Sequence, residues 1–100
     1  MRVISRRKLK DAAGKHAEIE GSLEAWYRIA KAAKWSSFAE LRITCASADI
    51  YHNCTIFNIK GTKYRLIAWV NYQSGKVFIR HVLTHAEYTK GAWKNDCISA

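Results

Sequence analysis

Two interleaved side-chain patterns between residues 55 and 84 constrain this chain more than any other feature. The run Thr55-Ile-Phe-Asn-Ile-Lys60 is β-branched and aromatic and ends at Gly61-Thr62, so it predicts a hairpin with Lys63 to Tyr72. Gln73-Ser74-Gly75 is a second turn signal, leading into Lys76 to Leu83. In a strand, alternate side chains point to opposite faces. One parity holds Phe57, Ile59, Leu66, Ala68, Val70, Val77, Ile79 and Leu83, an apolar face that must be covered. The other holds Asn58, Lys60, Arg65, Ile67, Trp69, Asn71, Phe78, Arg80 and Thr84, and nothing obvious in the chain remains to cover it. A face of cations, amides and rings is either a solvated exterior or a nucleic-acid surface, with cations for phosphates and flat rings for bases.

The first half supplies the cover. Ser5 is placed to cap a helix over Arg6 to His16, weakened near its end by Gly14. Ile19, Leu23, Trp26, Tyr27 and Ala30 recur at helical spacing and predict a second helix from about Ala17 to Ala33, with Gly21 a local flaw. Ser37-Phe38-Ala39-Glu40 reads as a capping box opening a short third helix to about Arg42, with Phe38 and Leu41 inward. Met1 to Ile4 is expected as a further strand. The fold class is therefore α+β: a small antiparallel sheet of about four strands, with two to three helices from the N-terminal half on one face, in one domain over residues 1–100.

Charge narrows the function classes. Seventeen Lys and Arg against 8 Asp and Glu leave +9, which favours a polyanionic or acidic partner. The longest apolar run, Leu66 to Val70, is far short of the roughly 20 residues of a membrane span, so no span is expected, and no membrane is counted among the expected partners. Met1-Arg2-Val3-Ile4 runs into a basic stretch rather than an apolar one, so no secretory leader is expected. Cys45, Cys54 and Cys97 form no C-x-x-C pair, and His52-x-Cys54 lacks a second ligand pair for zinc. Three free thiols in a reducing cytoplasm are the expectation.

Four stretches carry a resemblance: Met1-Arg-Val-Ile-Ser-Arg; Ala25-Trp-Tyr-Arg with Lys34-Trp-Ser-Ser-Phe-Ala-Glu-Leu41; Phe57-Asn-Ile-Lys-Gly-Thr-Lys-Tyr-Arg-Leu66; and Thr84-His-Ala-Glu-Tyr-Thr-Lys90. In order and spacing they closely resemble the HigB family, RelE-like toxins of type II toxin–antitoxin systems, from Met1 to about Lys94. The resemblance implies a RelE-like fold and an endoribonuclease that cuts mRNA, usually during translation on the ribosome. It also implies a HigA-like antitoxin with a helix-turn-helix domain, and chemistry by Lys, Arg, Tyr and sometimes His without metal or other cofactor. This chain lacks the Pro common in the family near Ala46. It has Thr62 where Asn is frequent, and Thr89 where Asp is frequent, so acid–base roles built on that last position do not carry over.

Cleavage of RNA by its own 2′-OH needs a base, cations on the phosphate, and an acid for the leaving 5′-oxygen. Lys60 and Lys63 flank the turn, Arg65 shares the face of Lys63, and Arg80 shares the exposed parity. Arg65 and Arg80 suit phosphate by their planar forks. Lys60 and Lys63 offer phosphate contacts, and one of them is a candidate base. His85 is the acid or base that titrates near neutrality, and Tyr88 stacks on a base or donates a proton. Asn58 and Trp69 join Arg80 as RNA contacts. Plainer roles stay open: Lys63 as a turn residue, His85 as a strand cap, Tyr88 packed on Trp93. His81-x-x-x-His85 would suit a metal only on a helix, and His81 falls in a strand pattern, so no metal is expected. The competing function is a translation inhibitor that binds RNA or the ribosome without cutting.

Overall fold

The computed structural model describes residues 1–98; the last two residues of the expected 1–100 domain lie outside the described residues. The chain runs β1 (Arg2–Ile4), α1 (Arg6–Lys15), a 3-10 turn (Ala17–Ile19), α2 (Glu20–Ala32), α3 (Phe38–Thr44), β2 (Asp49–Tyr51), β3 (Cys54–Ile59), β4 (Tyr64–Asn71), β5 (Lys76–Thr84), α4 (His85–Lys90), a second 3-10 turn (Ala92–Lys94) and α5 (Asn95–Ile98). The strands form one sheet in the order β1-β5-β4-β3-β2. The expected antiparallel meander is present, with two corrections. Asp49–Tyr51 adds a fifth strand on β3, and β1 pairs with β5 in parallel, so the sheet is mixed.

The expected helices form, with local differences. Ser5 is extended at the N-cap position of α1 but its side chain makes no cap bond. Ser37 caps α3 by accepting from the Glu40 N–H, while Glu40 accepts from Ser36 rather than from Ser37. Leu9 and Ala12 of α1, Leu23, Trp26 and Ala30 of α2 and Leu41 of α3 are buried against Phe57, Ile59, Leu66, Ala68, Val77 and Ile79. Trp26 meets Phe57 edge-on, with ring centroids 5.3 Å apart. This is the apolar parity read from the sequence, with one exception. A bulge at Ile67/Ala68 pairs His81 with Ile67 but Ile79 with Ala68, leaving Arg80 as an extra residue. The extra residue reverses the parity beyond it. Val82 therefore joins the helix-side core, and Leu83 lies on the opposite face.

The second face is also covered, contrary to the expectation of an open one. The chain after β5 turns back beneath the sheet, and Trp93 and Cys97 bury against Cys54, Ile56 and Ile67. Cys54 and Cys97 form a disulfide with Cα atoms 5.3 Å apart, correcting the expectation of three free thiols; among the described residues Cys45 alone is free. Sequence periodicity cannot show this closure, because it joins positions 43 residues apart.

Candidate active site

What remains open on the second face is a rim of cations stacked on rings. The Arg65 guanidinium lies over the Tyr88 ring, 4.7 Å from its centroid. Tyr88 stacks in turn on Trp93 at 5.1 Å with planes 9° apart, and Trp93 Nε1 donates to the Tyr88 carbonyl at 2.9 Å. Arg65 also donates to the Thr62 carbonyl. Its orientation is thus fixed by a ring on one side and the β3–β4 loop on the other.

Helix α4 delivers Tyr88. Thr84 accepts from the Glu87 N–H at 3.2 Å, and Glu87 accepts from the Thr84 N–H at 2.9 Å, a complete capping box. Those bonds hold the Glu87 carboxyl below the usual carboxylate range, the backbone N–H of Thr84 foremost. Gly91 ends the helix in the left-handed region at φ 79°, which favours glycine. The His85 N–H donates to the Lys63 carbonyl at 2.9 Å, which ties the start of α4 to the β3–β4 loop.

The proposed residues divide into groups. Arg65 stacks on Tyr88, and beside them Lys63 and His85 are joined through their backbones, the Lys63 charge acting on Glu18. The His85 ring is exposed and has no partner among the described residues. Asn58 pairs with Arg65 across the β3–β4 ladder and shares its face. Lys60 does not end a strand: it stands in the loop at φ 53°, and its ammonium donates to the Glu18 carbonyl at 3.4 Å, on the helix side. The two-residue turn expected at Gly61-Thr62 is thus a loop over residues 60–63. Arg80 covers Trp69, 4.2 Å from the ring centroid, so Trp69 is not the open stacking platform its parity suggests.

Two residues outside the expected set complete the rim. His81 Nε2 and Asp96 Oδ2 are 2.5 Å apart, and Arg80 reaches the same carboxylate oxygen at 4.0 Å. The spacing of His81 pointed only to metal, and Asp96 lies too far along the chain for any local pattern to join them.

Tyr64, on the helix side, donates to Glu18. That bond, with lesser help from Lys60, His16 and Lys63, holds Glu18 below the usual carboxylate range, and it raises the Tyr64 hydroxyl.

Comparison with known proteins identifies the family. The family model described as HigB_toxin, RelE-like toxic component of a toxin–antitoxin system, matches residues 19–91. The chain belongs to the HigB toxin family. It is 31% identical over 91 residues to the mRNA interferase toxin HigB of Escherichia coli strain K12, covering 88% of each chain. It is 31% identical, with the same 88% coverage of both, to the mRNA interferase HigB of Shigella flexneri. It is 27% identical over 93 residues to the mRNA interferase HigB of Escherichia coli O6:H1 strain CFT073, covering 90% of each. The HigB-matched segment includes Arg65 and Tyr88 but ends before Trp93, Asp96 and Cys97.

Proposed function

We propose that this toxin is an endoribonuclease, an mRNA interferase that cuts translated mRNA on the ribosome in the cytoplasm and is restrained by a HigA-like helix-turn-helix antitoxin. The Arg65–Tyr88 stack carries the reading. The guanidinium held over Tyr88 keeps a planar fork in place for a phosphate, while the ring itself packs on Trp93, the plainer of its two expected roles, and offers no open face to a base. Lys63 adds a cation at the same end, Asn58 and Arg80 contact the RNA on either side, and Lys60, whose ammonium is held by the Glu18 carbonyl on the helix side, stands outside this set. His85 takes the proton of the 2′-OH. The 2′-oxygen attacks phosphorus, the bond to the 5′-oxygen breaks, and the products are a 2′,3′-cyclic phosphate and a 5′-hydroxyl once that oxygen receives a proton. The proposed reaction uses protein groups alone.

The test is a purified translation system with one defined mRNA, followed by mapping of 5′ ends. New ends that require ribosomes, and that Arg65→Ala abolishes, are expected. Arrested translation with no new ends identifies the non-catalytic binder instead.

A further inference from the structure

We infer that His81, held by Asp96, is the catalytic acid of this cleavage, protonating the leaving 5′-oxygen. The inference rests on the endoribonuclease reading above and deepens it. His81 pairs with Ile67 and Arg65 with Leu83, so His81 and Arg65 are diagonal neighbours on one face. Such neighbours have backbones about 7–8 Å apart, so an RNA strand lying along this face passes both. The His81 side chain is 31% exposed, enough to meet a ligand.

Asp96 gives this histidine what His85 lacks among the described residues, a partner that fixes its ring. In the proposed arrangement Nε2 carries the proton and the Asp96 carboxylate accepts from it. The proton available to the substrate is then the one on Nδ1 of the doubly protonated ring. As the P–O5′ bond breaks, Nδ1 gives its proton to the 5′-oxygen and the ring is left as the Nε2–H tautomer, still bonded to Asp96. A proton from solvent restores it. Asp96 is a positioning residue here, and it is firmly placed. Its neighbour Cys97 is bonded to Cys54, and the Cys97 carbonyl accepts from the Asn53 N–H at 3.3 Å.

The surroundings suit an anion. Arg80 is the extra residue of the bulge, and its Nε is buried with no hydrogen-bond partner among the described residues. A cleft of about 320 Å³ opens beside it between α1 and β5, where Lys8, Lys15 and His16 join Arg80 and His81, with the carboxylates of Asp11 and Glu87 also in its lining. The cations outnumber the two carboxylates, so the cleft still gives an RNA backbone a path to His81.

The alternative role for the pair is a clip that merely fixes α5, and leaving-group chemistry separates the two. A short synthetic mRNA with the ordinary 5′-oxygen at its cut site is compared on ribosomes with one carrying 5′-sulfur there, since a thiolate departs without a proton. His81→Gln is expected to slow the oxygen substrate by roughly 10²–10⁴-fold and to cut the sulfur substrate near the wild-type rate. Asp96→Asn is expected to show a smaller loss with the same recovery, and unchanged affinity for an mRNA blocked by 2′-deoxy at the cut site. Equal losses on both substrates, or no loss, overturn the assignment. Faster cleavage by Asp96→Asn also overturns it and makes the carboxylate a plug on Arg80. A wild-type chain that cuts neither substrate overturns the endoribonuclease reading and this inference together; wild-type cutting matched by His81→Gln overturns this inference alone.

Discussion

Arg65 is the side chain whose removal best separates chemistry from folding. It is half-exposed and rests on Tyr88, and a cation–π contact at such a site contributes about 0.5–1 kcal/mol. Arg65→Ala is therefore expected to lower the melting temperature only slightly while cleavage collapses. The salt dependence of RNA affinity should fall by about one phosphate's worth, read as the slope of log affinity against log salt. Arg65→Lys keeps the charge but not the fork, and cleavage is expected to stay well below wild type. Glu18 supplies a different residue-level test. Its folded carboxyl titrates below its ordinary value, chiefly through the Tyr64 hydroxyl. Its stabilisation is therefore complete above the unfolded value, near pH 4.3, and is lost as pH falls through the lower folded one. Melting temperatures taken across the acid range should decline through that window, and the decline should be shallower in Glu18→Gln.

Among the elements, the C-terminal pair of short helices matters most, because it closes the second sheet face and carries Tyr88 and Asp96 to it. Two devices hold it. The capping box fixes α4 as it leaves β5, and the disulfide fixes α5 on β3 across 43 residues. A crosslink of this kind typically stabilises by about 2–4 kcal/mol through the unfolded chain. Cys97→Ser is expected to lower the melting temperature of the oxidised protein, and a dithiol reductant should lower the wild type to a similar value while leaving Cys97→Ser unchanged. In any reducing compartment this bond is under challenge, so the two melting temperatures bracket the stability of its oxidised and reduced forms. Equal stability of oxidised and reduced wild type would remove the disulfide from the account of what closes this face.

Taken whole, the molecule is a sheet with two different covers: a thick helical one over a large apolar core, and a thin C-terminal one that leaves a cationic rim. Expression of the wild type is expected to arrest growth, and co-expression of the cognate antitoxin to relieve it. Leu66→Ala, at a fully buried position, should cost about 2–5 kcal/mol and relieve toxicity by loss of folded protein, visible as a lower soluble yield. Arg65→Ala should relieve toxicity at full yield. The helical half of this design is legible in the residues. A period of two in β3 to β5 and a stripe at helical spacing in α2 are local signals, and each demands the other as cover. The Arg65 and Tyr88 positions are legible for the same reason, one in a patterned strand and one in a well-matched string. The bulge that sends Leu83 to the second face is not, because it is decided by competition between ladders in β4 and β5 rather than by either sequence alone. Nor is the parallel pairing of β1 on β5, or the meeting of His81 with Asp96. Periodicity and capping act over a few residues and so are written in the order of side chains. Closure of the second face joins Trp93 and Cys97 to β3, some forty residues earlier in the chain, a contact that no local pattern encodes and only the tertiary structure brings within reach.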